Sequence, residues 1–180
     1  MTVPALVGLR ARLAALLLIA TVVALAGCGG ASGAAVPIEY GHRDCDFCRM
    51  TITDPRYAAE LVTTTGKVHP FDSIECLAGY YAQLADRSSA RALWVSDYAH
   101  PGHFLRADSA RFVRVAGPGS PMGRGLRAYA AGADLSALRA SGGEPLDWGQ
   151  VLAMVSREGV APAASSRATD EARHALADAR

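Results

Sequence analysis

The first 28 residues do not read as part of a folded domain, and setting them aside decides how the rest is interpreted. Arg10 and Arg12 precede an apolar run from Leu13 to Ala26, broken only by Thr21. A basic start followed by a short apolar stretch is the pattern of a secretory signal. The run falls short of the ~20 residues that a comfortable membrane span needs. It ends in Leu25-Ala26-Gly27-Cys28, followed by Gly29-Gly30. This resembles a bacterial lipobox, in which the cysteine is lipidated on sulfur and the chain is cut just before it. The expectation is a signal peptide over 1–27 and a lipid anchor on Cys28. Two or three acyl chains attach a protein stably, where one is marginal. The mature protein is then expected in the cell envelope, anchored to a membrane and facing the periplasm.

Small residues from Gly29 to Pro37 read as a tether, so that 28–38 links lipid to domain. Residues 160–180 are dominated by Ala, Ser, Arg and Asp and hold one Leu, Leu176. Such a segment cannot bury a core face and is expected to be a disordered tail. The globular part is therefore 39–159. Across the whole chain 18 Lys+Arg face 17 Asp+Glu, which gives no basic footprint for nucleic acid.

Within that part the spacing predicts an α+β fold. Tyr57–Thr64 and Lys67–Phe71 flank the turn Thr65-Gly66 and read as a hairpin. Asp72 followed by Glu75 has the form of a capping box with Asp72 as the cap. Ile74, Leu77, Ala78, Tyr81 and Ala85 then mark one helical stripe. Cys76 lies on the opposite side of that helix from the stripe. Ala92–Val95 reads as a short buried strand. A weaker repeat of the same order follows: strands at Arg111–Val115 and Gly125–Tyr129, a helix at Asp134–Ser141, and a short strand at Pro145–Trp148. A last helix, capped by Asp147, carries a stripe of Trp148, Val151, Leu152 and Val155. Two related β-β-α-β lobes, about 45–97 and 98–159, are expected, joined by the turn-rich Tyr98–His103.

With Cys28 lipidated, three thiols remain: Cys45, Cys48 and Cys76. Exported proteins usually carry paired cysteines, so an odd set points to a redox centre or a soft-metal site. Cys45, Cys48 and Met50 place two thiolates and a thioether within six residues, a set that selects Cu(I), with zinc and iron–sulfur clusters as competitors. A thioredoxin-like pair, a structural zinc site completed by Cys76 and His69, and a plain Cys45–Cys48 disulfide are the other readings. The thioredoxin-like pair is disfavoured because Thr51–Pro55 breaks any following helix. His69 precedes Pro70 in the hairpin. No Ser/His/Asp set or carboxylate pair stands at catalytic spacing, so hydrolysis has no candidate, and a metal-binding role without catalysis is the leading expectation ahead of a reductase or a lyase.

The run Cys45–Glu60 and the run Gly66–Leu77 closely resemble the accessory lipoproteins of nitrous oxide reductase, the NosL family. So do Trp94–Pro101, Ser120–Leu126 and the closing Gly142-Gly143 with Trp148. The resemblance implies a copper chaperone that binds one Cu(I) and passes it to nitrous oxide reductase or its membrane maturation complex. It also implies the two-lobed fold shared with organomercury lyase. The family's Cys-x-x-Cys-x-Met element falls on Cys45, Cys48 and Met50, its Pro-Met-Gly element on Met122, and its Ile-Glu-Cys element on Cys76. Arg49 stands where many relatives have Gly. With His69 as a further donor, the expected metal residues are Cys45, Cys48, Met50, Met122, Cys76 and His69, carried on a mobile loop suited to release. The alternative is a thiol–disulfide reductase that keeps copper-site cysteines reduced.

Overall fold

Along Ala59–Thr63 the side chains on both faces are covered, and the pairing of this strand explains why. A computed structural model describes residues 33–116 and 120–160. In it β1 (Ala59–Thr63) lies between β2 (Val68–Phe71) and β3 (Ala90–Ser96), antiparallel to both, and β4 (Phe104–Arg106) adds to the free edge of β3. Ala59 stands opposite Phe71 and Val95, and Leu61 opposite His69 and Leu93. This face packs on helix α1 (Ile74–Gln83), whose Ile74 and Leu77 join Ala59, Leu61 and Phe71 in one buried cluster.

Glu60, Val62, Pro70 and Trp94 occupy the other face, since side chains alternate along a strand. Residues 33–38, expected to be tether, lie against that face. The Trp94 indole donates to the Gly33 carbonyl at 2.9 Å, the Val36 amide donates to Glu60 Oε2 at 2.9 Å, and Ile38 is buried.

The second sheet has β5 (Arg111–Arg114) between β6 (Leu126–Tyr129) and β7 (Glu144–Leu146), again antiparallel. The short helix α2 (Ser136–Ala140) precedes β7, and α3 (Trp148–Glu158) follows it. The order β-β-α-β thus occurs twice, with β1 and β5 central. The turn at Tyr98–His103 does not end the first sheet, because β4 follows it and returns to β3. The two sheets also share a core. Leu77 of α1, Phe112 of β5, Leu126 of β6 and Val151 of α3 belong to one cluster. A backbone bond from Tyr98, in the turn after β3, to Ala128, 2.8 Å, links the first sheet to β6.

Caps differ from expectation in one place that matters. Asp147 caps α3 with a full capping box to Gln150, as its spacing predicts. The helix buries Val151, Met154 and Val155, so Met154 takes a core place alongside the expected stripe. On α1, however, the cap is Ser73, whose hydroxyl accepts from the Cys76 amide at 3.1 Å. Asp72 is left one residue outside the helix with its carboxylate free for other work. The expected signal peptide, Cys28 and the 160–180 tail lie outside the described residues, apart from Val160. Among the described residues no helix is long and apolar enough to cross a membrane.

Glu60 yields a stability prediction. Its burial pushes the carboxyl up from 4.5 to about 7, against the smaller opposing effect of the Val36 amide. The folded protein therefore favours the neutral acid. The group's contribution to stability is complete below pH 4.5 and is lost as pH rises through about 7. Glu60→Gln keeps an acceptor for Val36. Thermal melts should show it more stable than the parent by roughly 1–3 kcal/mol at pH 8, with the gap closing by pH 4.5.

Candidate metal centre

Residues 44–51 form a tight loop closed on itself. Asp44 and Thr51 pair across its base, the Cys45 amide donates to the Met50 carbonyl at 2.8 Å, and the Arg49 amide donates to the Cys45 carbonyl at 3.0 Å. Arg49 turns the chain in the left-handed region, φ 67°, where glycine is at ease and a side chain is strained. This accounts for glycine suiting that position.

The loop is docked at several points. The Asp46 amide donates to the Pro70 carbonyl at 2.9 Å, and Asp46 Oδ2 lies 2.6 Å from His69 Nδ1. The Phe47 ring rests on Gly79 of α1, where an added Cβ would come within 2.8 Å of the ring. The loop is thus held against both β2 and α1. Its docking also explains Cys76. The helix face opposite the main stripe is covered by this loop, so Cys76 is fully buried although it lies off the stripe.

The cap at Ser73 and the docked loop bring four side chains to one point. The Sγ atoms of Cys45, Cys48 and Cys76 and a carboxylate oxygen of Asp72 all lie within 4.8 Å of one another. All four residues are buried, at 0%, 3%, 0% and 3% exposure in that order. The three cysteines are free thiols, which sets aside the plain Cys45–Cys48 staple for this state of the chain. Cys48 Sγ donates to Asp72 Oδ2 at 3.3 Å, and the Cys48 amide points at Cys45 Sγ, 3.5 Å away.

Hydrogen bonds from the Cys48 and Cys76 thiols hold Cys45 far below the usual thiol range. The same contacts push Cys48 and Cys76 up, because a neighbouring thiolate at Cys45 favours their protonated forms. Burial, with the Cys45 charge beside it, raises Asp72 to about 6. The cluster thus carries one stabilised thiolate next to two thiols and a carboxylate. It sits at the start of α1, where the helix dipole favours negative charge. Three sulfurs and one oxygen facing a common point are a ligand set for a soft or borderline cation.

Of the expected metal residues, Cys45, Cys48 and Cys76 come together. His69 is not among the converging groups. It is buried, bonded to Asp46, and its ring lies 5.0 Å from that of Tyr80. Met50 is 40% exposed, next to the left-handed turn at Arg49. Met122 is partly buried against the core cluster that contains the three cysteines. Its loop is fixed by Ser120, whose hydroxyl donates to Glu75 Oε1 at 3.2 Å and accepts from the Gly125 amide at 2.8 Å. Asp72 was not legible as a site residue from sequence. The signal was the pair Asp72-Ser73, two cap-forming residues of which only one can cap.

A family model described as NosL matches residues 36–155. Among solved structures, that of the copper chaperone NosL from Shewanella denitrificans is similar, with a TM-score of 0.57 and 26% identity, over 66% of this chain and 95% of that one. No curated protein matches the chain.

Proposed function

Because the chain belongs to the NosL family, we propose that it is a Cu(I)-binding lipoprotein of the cell envelope that delivers copper for the maturation of nitrous oxide reductase. The observation that carries this reading is the convergence of Cys45, Cys48, Cys76 and Asp72 within 4.8 Å. Three sulfurs suit Cu(I). The neighbouring thiols lower Cys45 and so favour the thiolate that Cu(I) takes, and the similar Shewanella denitrificans structure is that of a copper chaperone. Cys45, Cys48 and Cys76 hold the ion in this reading. Exposed Met50 and Met122, in the loop between β5 and β6, are donors for its entry and exit. A thioether needs no deprotonation, so it binds Cu(I) without competition from protons.

Burial argues against the reductase alternative. Thiol–disulfide exchange requires access to the attacking sulfur, and the most exposed of the three cysteines is 3% exposed. Asp72 favours a second reading in one respect, since three cysteines and a carboxylate also suit tetrahedral zinc. The test is titration of the reduced protein with Cu(I) against a chromogenic chelator, in parallel with Zn(II). One Cu(I) bound per chain, with weaker Zn(II) and no insulin-reducing turnover, supports the proposal. Preference for Zn(II) or catalytic turnover refutes it. For delivery, nitrous oxide reductase purified from a strain lacking this protein should be folded and copper-poor by elemental analysis. Full copper content in that reductase removes the delivery role.

A further inference from the structure

His69 bridges the loop and the helix that carry the three thiols and is not one of the converging groups. Its Nδ1 is 2.6 Å from Oδ2 of Asp46, the residue that follows Cys45 in the loop. Its ring lies 5.0 Å from that of Tyr80, whose hydroxyl is 3.3 Å from the same nitrogen. Tyr80 stands four residues after Cys76 on α1, one turn along the same side of the helix. Asp46 is doubly held by β2, through His69 and through its own amide to the Pro70 carbonyl at 2.9 Å. His69 is 8% exposed, and a hydrogen bond to a carboxylate in such surroundings is stronger than one in water.

We propose that His69 is a positioning residue for the metal centre: by bonding Asp46 and packing on Tyr80 it holds the Cys45–Cys48 loop in register with Cys76, so that the sulfurs converge before metal arrives. This rests on the metal-binding reading above and adds the side chain that sets its affinity from outside. The physical reason is preorganisation. The loop carries a strained turn at Arg49, and once released from β2 it is free to relax away from the helix. The ordering of the loop would then have to accompany metal binding and would weaken it. Partners of this kind, one bond removed from a metal's ligands, typically change affinity 10- to 100-fold.

The test uses the full chain, reduced, with His69→Ala, Asp46→Ala, the double variant and His69→Asn, whose amide nitrogen stands close to the position of Nδ1. Two readouts are taken: Cu(I) affinity by chelator competition, and the alkylation rate of Cys45 and Cys48 in metal-free protein. His69→Ala and Asp46→Ala should each lose about 10- to 100-fold in affinity and alkylate about tenfold faster. The double variant should be no worse than either single one, because the two residues act as a unit. His69→Asn should recover most of both properties, with copper per chain unchanged throughout. A loss for His69→Ala with Asp46→Ala at parental affinity makes His69 a ligand and overturns the proposal. Additive losses overturn it too, as do unchanged alkylation rates. If the parent binds no Cu(I) while alkylation responds as described, the positioning role stands and the copper reading falls.

Discussion

Cys76→Ser should abolish tight Cu(I) binding, with an affinity loss well beyond the ~100-fold that marks removal of an outer partner. Cys76 is fully buried at the third position of a capped helix, and its amide is already bonded to Ser73. The backbone therefore cannot shift to bring a shorter hydroxyl oxygen to the point where the sulfur stood, and oxygen is a poor donor for Cu(I). Cys48→Ser should follow closely. It replaces a converging sulfur with a hydroxyl oxygen, again a poor donor for Cu(I). Met50→Ala, at a side chain 40% exposed and outside the pocket, should change the equilibrium affinity least. Chelator competition on the reduced proteins gives the order Cys76→Ser, Cys48→Ser, His69→Ala, Met50→Ala. A Met50 variant weaker than the Cys76 variant places the metal on the outside of the loop.

The largest loss of stability is expected from Gly125→Ala. Gly125 has φ +69° and closes the loop that carries Met122, receiving the Val115 amide at 3.0 Å. A Cβ there would come within 2.0 Å of the Val115 carbonyl oxygen, a backbone atom that cannot turn aside. Left-handed strain contributes about 1–3 kcal/mol and the forced displacement about as much again, for a total on the order of 3 kcal/mol or more. Thermal melts should fall by on the order of 10 °C. The Ser120 clamp to Glu75 should loosen with it, since the Gly125 amide donates to the same hydroxyl. Gly123, φ +72° with open space around it, is the control. Gly123→Ala meets strain without collision and should cost about half as much.

The sequence spoke clearly wherever one local preference acted alone. The hairpin of β1 and β2, the strands β5 and β6 and the capped α3 follow from alternation, turn residues and an Asp147–Gln150 box, none of which needs a distant partner. It was silent where two preferences competed or a remote contact decided. Asp72 and Ser73 both cap helices well. The choice fell to Ser73 because Asp72 faces the Cys48 thiol, a contact between residues 24 apart in sequence. The edge strand β4 is three residues long and exists through its pairing with β3, too little for any pattern to register. Cys76 read as turned away from the core because periodicity marks a helix's main face and not the face that a loop later covers. His69, a plausible donor by type, spends its nitrogen on Asp46, a pairing that no spacing rule anticipates.

The burial of all four converging groups has a kinetic corollary. With exposures of 0–3% at Cys45, Cys48, Asp72 and Cys76, an ion enters or leaves only when the loop swings off the helix. Traffic at such a pocket resembles the exchange of a protected amide proton, whose rate is the open-state chemistry scaled by the fraction of time spent open. Occupancy would then follow from the sulfurs and the contacts that align them, and the waiting time from how often the loop between Asp44 and Thr51 opens. A protein that pried this loop open would hurry an ion across without binding it any more tightly.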